Sequence, residues 1–139
     1  NVKVYTNHNE IDYVAKLAKA QAVSIIANLL DNSVFWLGYS KRKDPIISVF
    51  ITDQIKDYYT IVVSDNGPGF NIGTDVAVKP FISGKPDNIG MGIGLHIANE
   101  MMNAMGGKLM FYDKEDLDLP SEVIEVGATE AIVALCFKK

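Results

Sequence analysis

Val2 and Val4 alternate with polar neighbours, and this short strand pattern ends in the polar stretch TNHNE at 6–10. From Ile11 to about Leu37 apolar residues recur at helical spacing, uninterrupted by proline or glycine, which predicts one long helix or two meeting near Lys19. Gly38 and Ser40 end that pattern. The β-branched run IISVFIT at 46–52 predicts a strand, and the turn TDQIKD joins it as a hairpin to the apolar run YYTIVVSD at 58–65. Between Asn66 and Gly94 glycine and proline accumulate and apolar runs are short, so a long irregular segment carrying the ligand is expected there. LHIANEMMNAM at 95–105 returns to helical periodicity and stops at Gly106 and Gly107, as a C-terminal cap would. KLMFYD and ATEAIVALCF predict two final strands, separated by the acidic, loop-like KEDLDLPSE. The order strand, helix, two strands, loop, helix, two strands predicts an α/β sandwich, one mixed sheet with helices packed on a single face.

Length and composition narrow this picture. The chain has 139 residues, 48% of them apolar, enough for one domain spanning 1–139. It begins in NVKVYT without an initiator methionine, so a fragment of a longer protein is expected. The net charge is −4 and the one basic run is Lys41, Arg42 and Lys43, which argues against a nucleic-acid partner. No apolar stretch approaches the ~20 residues of a membrane span, so no membrane contact by this domain is expected. A cytoplasmic location follows as the expectation, although the parent protein could be membrane-anchored. Cys136, in the apolar run AIVALCF, reads as a small buried hydrophobe in a reducing compartment.

The candidate chemistry lies in three places. Asn28 and Asn32 project from one face of the long helix, opposite the packing side formed by Ile25, Ile26, Leu29, Leu30 and Ser33. Asparagine is a poor helix former. Two of them there are either a solvated polar face or carbonyl ligands that complete the oxygen shell of a phosphate-bound Mg²⁺. In SDNGPGF, Asp65 ends a strand where a carboxylate can accept a hydrogen bond from an exocyclic amine such as adenine's, and Gly67 and Gly69 let the backbone turn beneath a ligand. The same residues also read as a type II turn, and Gly67, Gly69 and Gly73 imitate a dinucleotide fingerprint with the wrong third spacing. In GMGIGL, Gly90, Gly92 and Gly94 alternate just before a helix, where unobstructed N–H groups and the helix N-terminus could cradle a triphosphate. Lys85 could add a point charge or be a solvated surface lysine; Pro86 behind it rules out a P-loop.

In this order the pieces resemble the GHKL superfamily of type II topoisomerases, heat-shock chaperones, histidine kinases and mismatch-repair ATPases. The resemblance runs from about Gln21 to the C-terminus. NLLDNS at 28–33 looks like the N box, DNGPGF at 65–70 the first glycine box, KPFISGK at 79–85 the F box and GMGIGL at 90–95 the second glycine box. It implies the two-layer α/β sandwich of the Bergerat fold with a mobile glycine-rich lid, and ATP with Mg²⁺ as its ligands. By the same resemblance Asn32 holds Mg²⁺, Asp65 reads adenine N6, and Gly67 and Gly69 shape the adenine pocket. Gly90, Gly92, Gly94 and Leu95 belong to the lid over the triphosphate, with Lys85 nearby. VGATEA matches the final glycine-threonine element, with Thr129 or Ala128 near adenine.

The branch within the superfamily decides between hydrolysis and transfer. Clamp ATPases carry a general-base glutamate four residues before the Mg²⁺ asparagine, a position held here by Asn28. An amide cannot be a general base, so slow hydrolysis is expected, and the motifs look most like the catalytic domain of sensor histidine kinases. Such a domain presents ATP to a phospho-acceptor histidine on another domain, with a response regulator downstream and a homodimeric parent. Phe35 and Trp36 depart from the family, whose kinases often place a cation and then an aromatic residue there. No phospho-acceptor motif surrounds His8 or His96, which read as structural. The alternatives are a clamp-type ATPase module, a nucleotide-sensing domain without catalysis, and a serine kinase acting on an anti-sigma partner.

Overall fold

The computed structural model describes residues 3–6, 19–40, 43–67 and 92–139. Strand β1 (Lys3–Thr6) precedes helix α1 (Lys19–Ser40), followed by β2 (Ile46–Thr52) and β3 (Tyr58–Asp65). Helix α2 (Gly92–Ala104), β4 (Lys108–Phe111), the short helix α3 (Ser121–Glu125) and β5 (Ala131–Lys138) complete the order. The sheet runs β1-β2-β3-β5-β4, with β1 and β2 parallel and the remaining pairs antiparallel, which is the mixed sheet expected. The parallel pair requires a crossover, and α1 supplies it.

Buried residues on α1 are Ala22, Ile25, Leu29, Ser33 and Leu37, a stripe at three- and four-residue spacing that faces the sheet. Leu95, Ala98 and Met102 form the matching stripe on α2. The two helices pack against each other and, with Ile47, Val63, Val133, Leu135 and Phe137, enclose one core. Both long helices thus lie on one face of the sheet, as the sequence pattern predicts.

The other face is also covered. Phe50, Val62, Ile132, Ala134 and Cys136 point away from the long helices into a second core, closed by Leu117, Val123 and Ala128 from the segment between β4 and β5. Burial on both faces is why β5 reads as an unbroken apolar run instead of alternating. The stretch expected to be a loop therefore acts as a lid over the sheet, with α3 folded into it.

Glycine caps close both helices that precede β4 and β5. Gly106, at φ 77°, brings its own N–H to the Asn103 carbonyl at 3.1 Å and that of Gly107 to Met102 at 2.9 Å. Gly127, at φ 73°, repeats the device, with Gly127 N–H on Ile124 and Ala128 N–H on Val123, each at 3.1 Å.

Candidate functional site

Along β3, Ile61 and Val63 face the long helices, and alternation places Asp65 on that same side at the strand's end. Asp65 is only 3% exposed. One carboxylate oxygen accepts the Gly67 N–H at 2.9 Å, and the Ser33 hydroxyl of α1 donates to the carboxylate as well. Burial raises its pKa above the usual 3.8; the Gly67 and Ser33 hydrogen bonds oppose that rise, and the charge of Glu130 adds to it. The Asp65 carbonyl accepts the Glu130 N–H at 3.0 Å, and Ala131 pairs with Asp65 across the sheet, so the start of β5 is fixed beside this carboxylate.

Gly67 has a steric requirement. A Cβ there would stand 3.0 Å from the Asp65 carboxylate oxygen and 3.6 Å from Leu37, so a side chain would disturb the bond that orients the acid.

Asn28 and Asn32 are half-buried on α1, and Asn32 immediately precedes the residue that touches Asp65. One helical segment therefore carries an exposed-side amide and the buried hydroxyl that ties the helix to the acid. Phe35 is half-buried a turn further on. Ala128 is fully buried in the core of the opposite face, whereas Thr129 is half-exposed, so Thr129 is the one of the two whose side chain is not committed to that core.

Gly92 and Gly94 lie within the first turn of α2, which starts a turn earlier than the apolar periodicity indicates. Glycine is tolerated there because the first N–H groups of a helix have no intrahelical acceptor. The first turn of a helix, with the positive end of its dipole, is the kind of place where an anion can be received. Leu95 anchors that turn in the helix-face core. Gly69, Lys85 and Gly90 lie outside the described residues, as do the F box and the greater part of the lid.

Ser33 is a candidate site residue that pattern reading assigned to packing alone. Its signal was a hydroxyl on the core stripe of a helix, where a buried polar group requires a partner. Asn66 is a second. Its Oδ1 accepts the Ile46 N–H at 2.9 Å and its Nδ2 donates to the Asp44 carbonyl at 2.7 Å, stitching the end of β3 to the start of β2.

The sequence family described as Histidine kinase-, DNA gyrase B-, and HSP90-like ATPase matches residues 18–136. The chain belongs to that ATPase family. The curated relatives it matches are sensor kinases. A probable C4-dicarboxylate sensor kinase of Halalkalibacterium halodurans is 31% identical over 101 residues, 71% of this chain and 18% of that protein. The C4-dicarboxylate transport sensor protein DctB of Pseudomonas aeruginosa is 34% identical over 86 residues, 61% of this chain and 14% of that protein. The chain thus spans less than a fifth of either relative's length. Among solved structures, the mycobacterial sensor histidine kinase MprB shares the fold with a TM-score of 0.65 at 17% identity, over 99% of this chain and 80% of that one. Full-length ShkA in complex with AMPPNP does so with a TM-score of 0.66 at 15% identity, over 99% of this chain and 26% of that one.

Proposed function

We propose that this domain binds Mg-ATP and presents its γ-phosphate to a histidine on a domain outside the chain. The observation that carries this reading is the buried Asp65 carboxylate, held by Gly67 and Ser33 against the same helix that bears Asn32. A buried, ionised carboxylate only accepts hydrogen bonds, which suits the N6 amine of adenine and disfavours a ring that presents a carbonyl at that position. Thr129, just before β5, would border the base, and Gly67 would leave room beneath it.

Among the described residues no group of three or more His, Cys, Asp or Glu side chains could hold a metal ion. Mg²⁺ would instead be held by the amide oxygen of Asn32 together with phosphates and water, since this ion keeps much of its hydration. When bound, the ion would neutralise phosphate charge that develops during transfer. The N–H groups of Gly92 and Gly94, with Gly90 and Lys85 on the lid, would receive the triphosphate.

Asn28 supports transfer over hydrolysis, because no general base stands where a clamp ATPase needs one. The acceptor histidine, a response regulator beyond it and a homodimeric parent on the cytoplasmic side complete the reading. No helix among the described residues is long and apolar enough to cross a membrane.

Isothermal titration with ATP in the presence and absence of Mg²⁺ tests the proposal. Affinity should fall at least about tenfold in Asn32→Ala only when Mg²⁺ is present, and in Asp65→Ala under both conditions. Equal affinity in all three proteins would overturn it. Steady phosphate release by the domain, surviving Asn28→Ala, would favour the clamp-type ATPase.

A further inference from the structure

On the face of the sheet opposite the long helices, at the β1–β2 edge, lies a cleft of about 560 Å³ lined by Lys3, Lys43, Asp44, Ile46, Asn66 and Val126. It is distinct from the nucleotide site. Asp65 turns toward α1, while its neighbour Asn66 lines the cleft behind it. The volume lies within the range of small-molecule sites.

The walls are set before any ligand arrives. Asn66 is 3% exposed, and its amide clamps both Asp44 and Ile46. The Lys3 N–H donates to the Pro45 carbonyl at 3.0 Å, which fixes the strand that carries the first cation beside the loop that carries the second. Rigid walls lower the ordering cost of binding.

The lining is also chemically two-sided. Lys3 and Lys43 are exposed ammonium groups opposed by one carboxylate, Asp44. The cleft lining thus carries one net positive charge in a molecule whose net charge is −4. Ile46 and Val126, the latter 41% exposed, supply aliphatic surface on the remaining walls. Ser48 and Ser64 are cross-strand neighbours one pair further along this face, next to Tyr5 on β1. Both are fully buried, with hydroxyls that find no partner among the described residues. The sheet beyond Ile46 and Asn66 on this face therefore continues with a polar pair.

We infer that this cleft binds a small organic phosphate, its dianionic group between Lys3 and Lys43 and its apolar body against Ile46 and Val126. Two ammonium groups can each meet an oxygen of a phosphate monoester, whose charge of about −1.5 to −2 at neutral pH outweighs the repulsion from Asp44. A lysine suits such a group as a movable point charge. A free phosphate would use the cations and leave the aliphatic walls unfilled.

Phenyl phosphate is the probe, titrated into the ¹⁵N-labelled chain and followed residue by residue in amide spectra, with inorganic phosphate and phenol as controls. Saturable shifts are expected at Asp44, Ile46, Asn66 and Val126. They should be weaker with inorganic phosphate and absent with phenol. Two variants probe the walls at exposed positions, so the fold should persist: Lys3→Ala with Lys43→Ala, and Val126→Glu. Each should weaken phenyl phosphate at least about fivefold. Shifts confined to Gly92–Leu95 would mean that phosphate binds at the α2 N-terminus instead and would overturn the inference. So would an affinity for phenyl phosphate no higher than for inorganic phosphate, or one that either variant leaves unchanged.

Discussion

Burial raises the pKa of Asp65, and the hydrogen bonds from Gly67 and Ser33 counter that rise only in part. A carboxyl whose folded pKa exceeds its unfolded one contributes stability below the ordinary value of 3.8 and loses it as pH rises through the folded pKa. At neutral pH the ionised acid therefore works against the fold. Asp65→Asn keeps an oxygen for the Gly67 N–H while removing the charge. The apo domain should melt roughly 2–4 °C higher at pH 7 in that variant, a gain that vanishes in acid, while ATP affinity falls. Calorimetric scans at pH 7 and in acid, beside ATP titrations, read both arms; an unchanged melting temperature at pH 7 would remove the charge argument. Ser33→Ala tests the second hydrogen bond. Without its donor the carboxylate should protonate at still higher pH. The acid limb of the ATP-binding profile should then move upward, and neutral-pH affinity should drop about five- to tenfold. A loss of affinity with an unmoved acid limb would point to packing alone. The place of Asp65 was legible because the apolar run YYTIVVSD ends on it, as β3 does. Ser33 was not, because one hydroxyl in an apolar stripe looks the same whether it fills space or meets an acid from another strand.

The two glycines after α2 separate two reasons for needing glycine. At Gly106 a Cβ would meet nothing within 4 Å, and the cost of a side chain is the left-handed backbone at φ 77°. At Gly107 a Cβ would stand 2.3 Å from the Cys136 carbonyl and 3.0 Å from the end of Met102, so β4 could not enter the sheet beside β5 without a backbone shift. Gly106→Ala should cost about 1 kcal/mol. Gly107→Ala should cost clearly more, read as the difference in urea midpoints at constant slope. The reverse order would mean that the turn conformation, not the approach of β4 to β5, governs this junction. Glycine punctuation made the end of α2 legible, and a β-branched run bounded by Pro45 made β2 so. Helix α3 was hidden for a physical reason. Five residues offer no periodicity, only Val123 of them is buried, and the surrounding charges match those of a solvated loop.

The sheet is shared by two cores, and this governs how the molecule comes apart. Val63 and Leu135 pack toward α1 and α2, while their neighbours Val62 and Ala134 pack under the segment that closes the opposite face. Neither β3 nor β5 can leave one core without opening the other. The cleft at the β1–β2 edge has the same origin. Its residues come from positions 3, 43, 44, 46, 66 and 126, brought together only by the pairing of β1 with β2 and the return of the chain over the far face, so no local pattern announces it. Met102 and Phe50, 0% and 1% exposed, sit in the two cores on opposite sides of the sheet. Met102→Ala should destabilise by about 2–5 kcal/mol and Phe50→Ala by about 3–5 kcal/mol. Because the sheet couples the cores, each variant should still unfold in one transition. Urea midpoints from far-ultraviolet dichroism and from near-ultraviolet dichroism should coincide in both. If Phe50→Ala instead exposes the far-face segment first, the near-ultraviolet signal should fall at lower urea than the helical signal. The two faces would then be separate cooperative units, and the far-face cleft could open without disturbing Asp65.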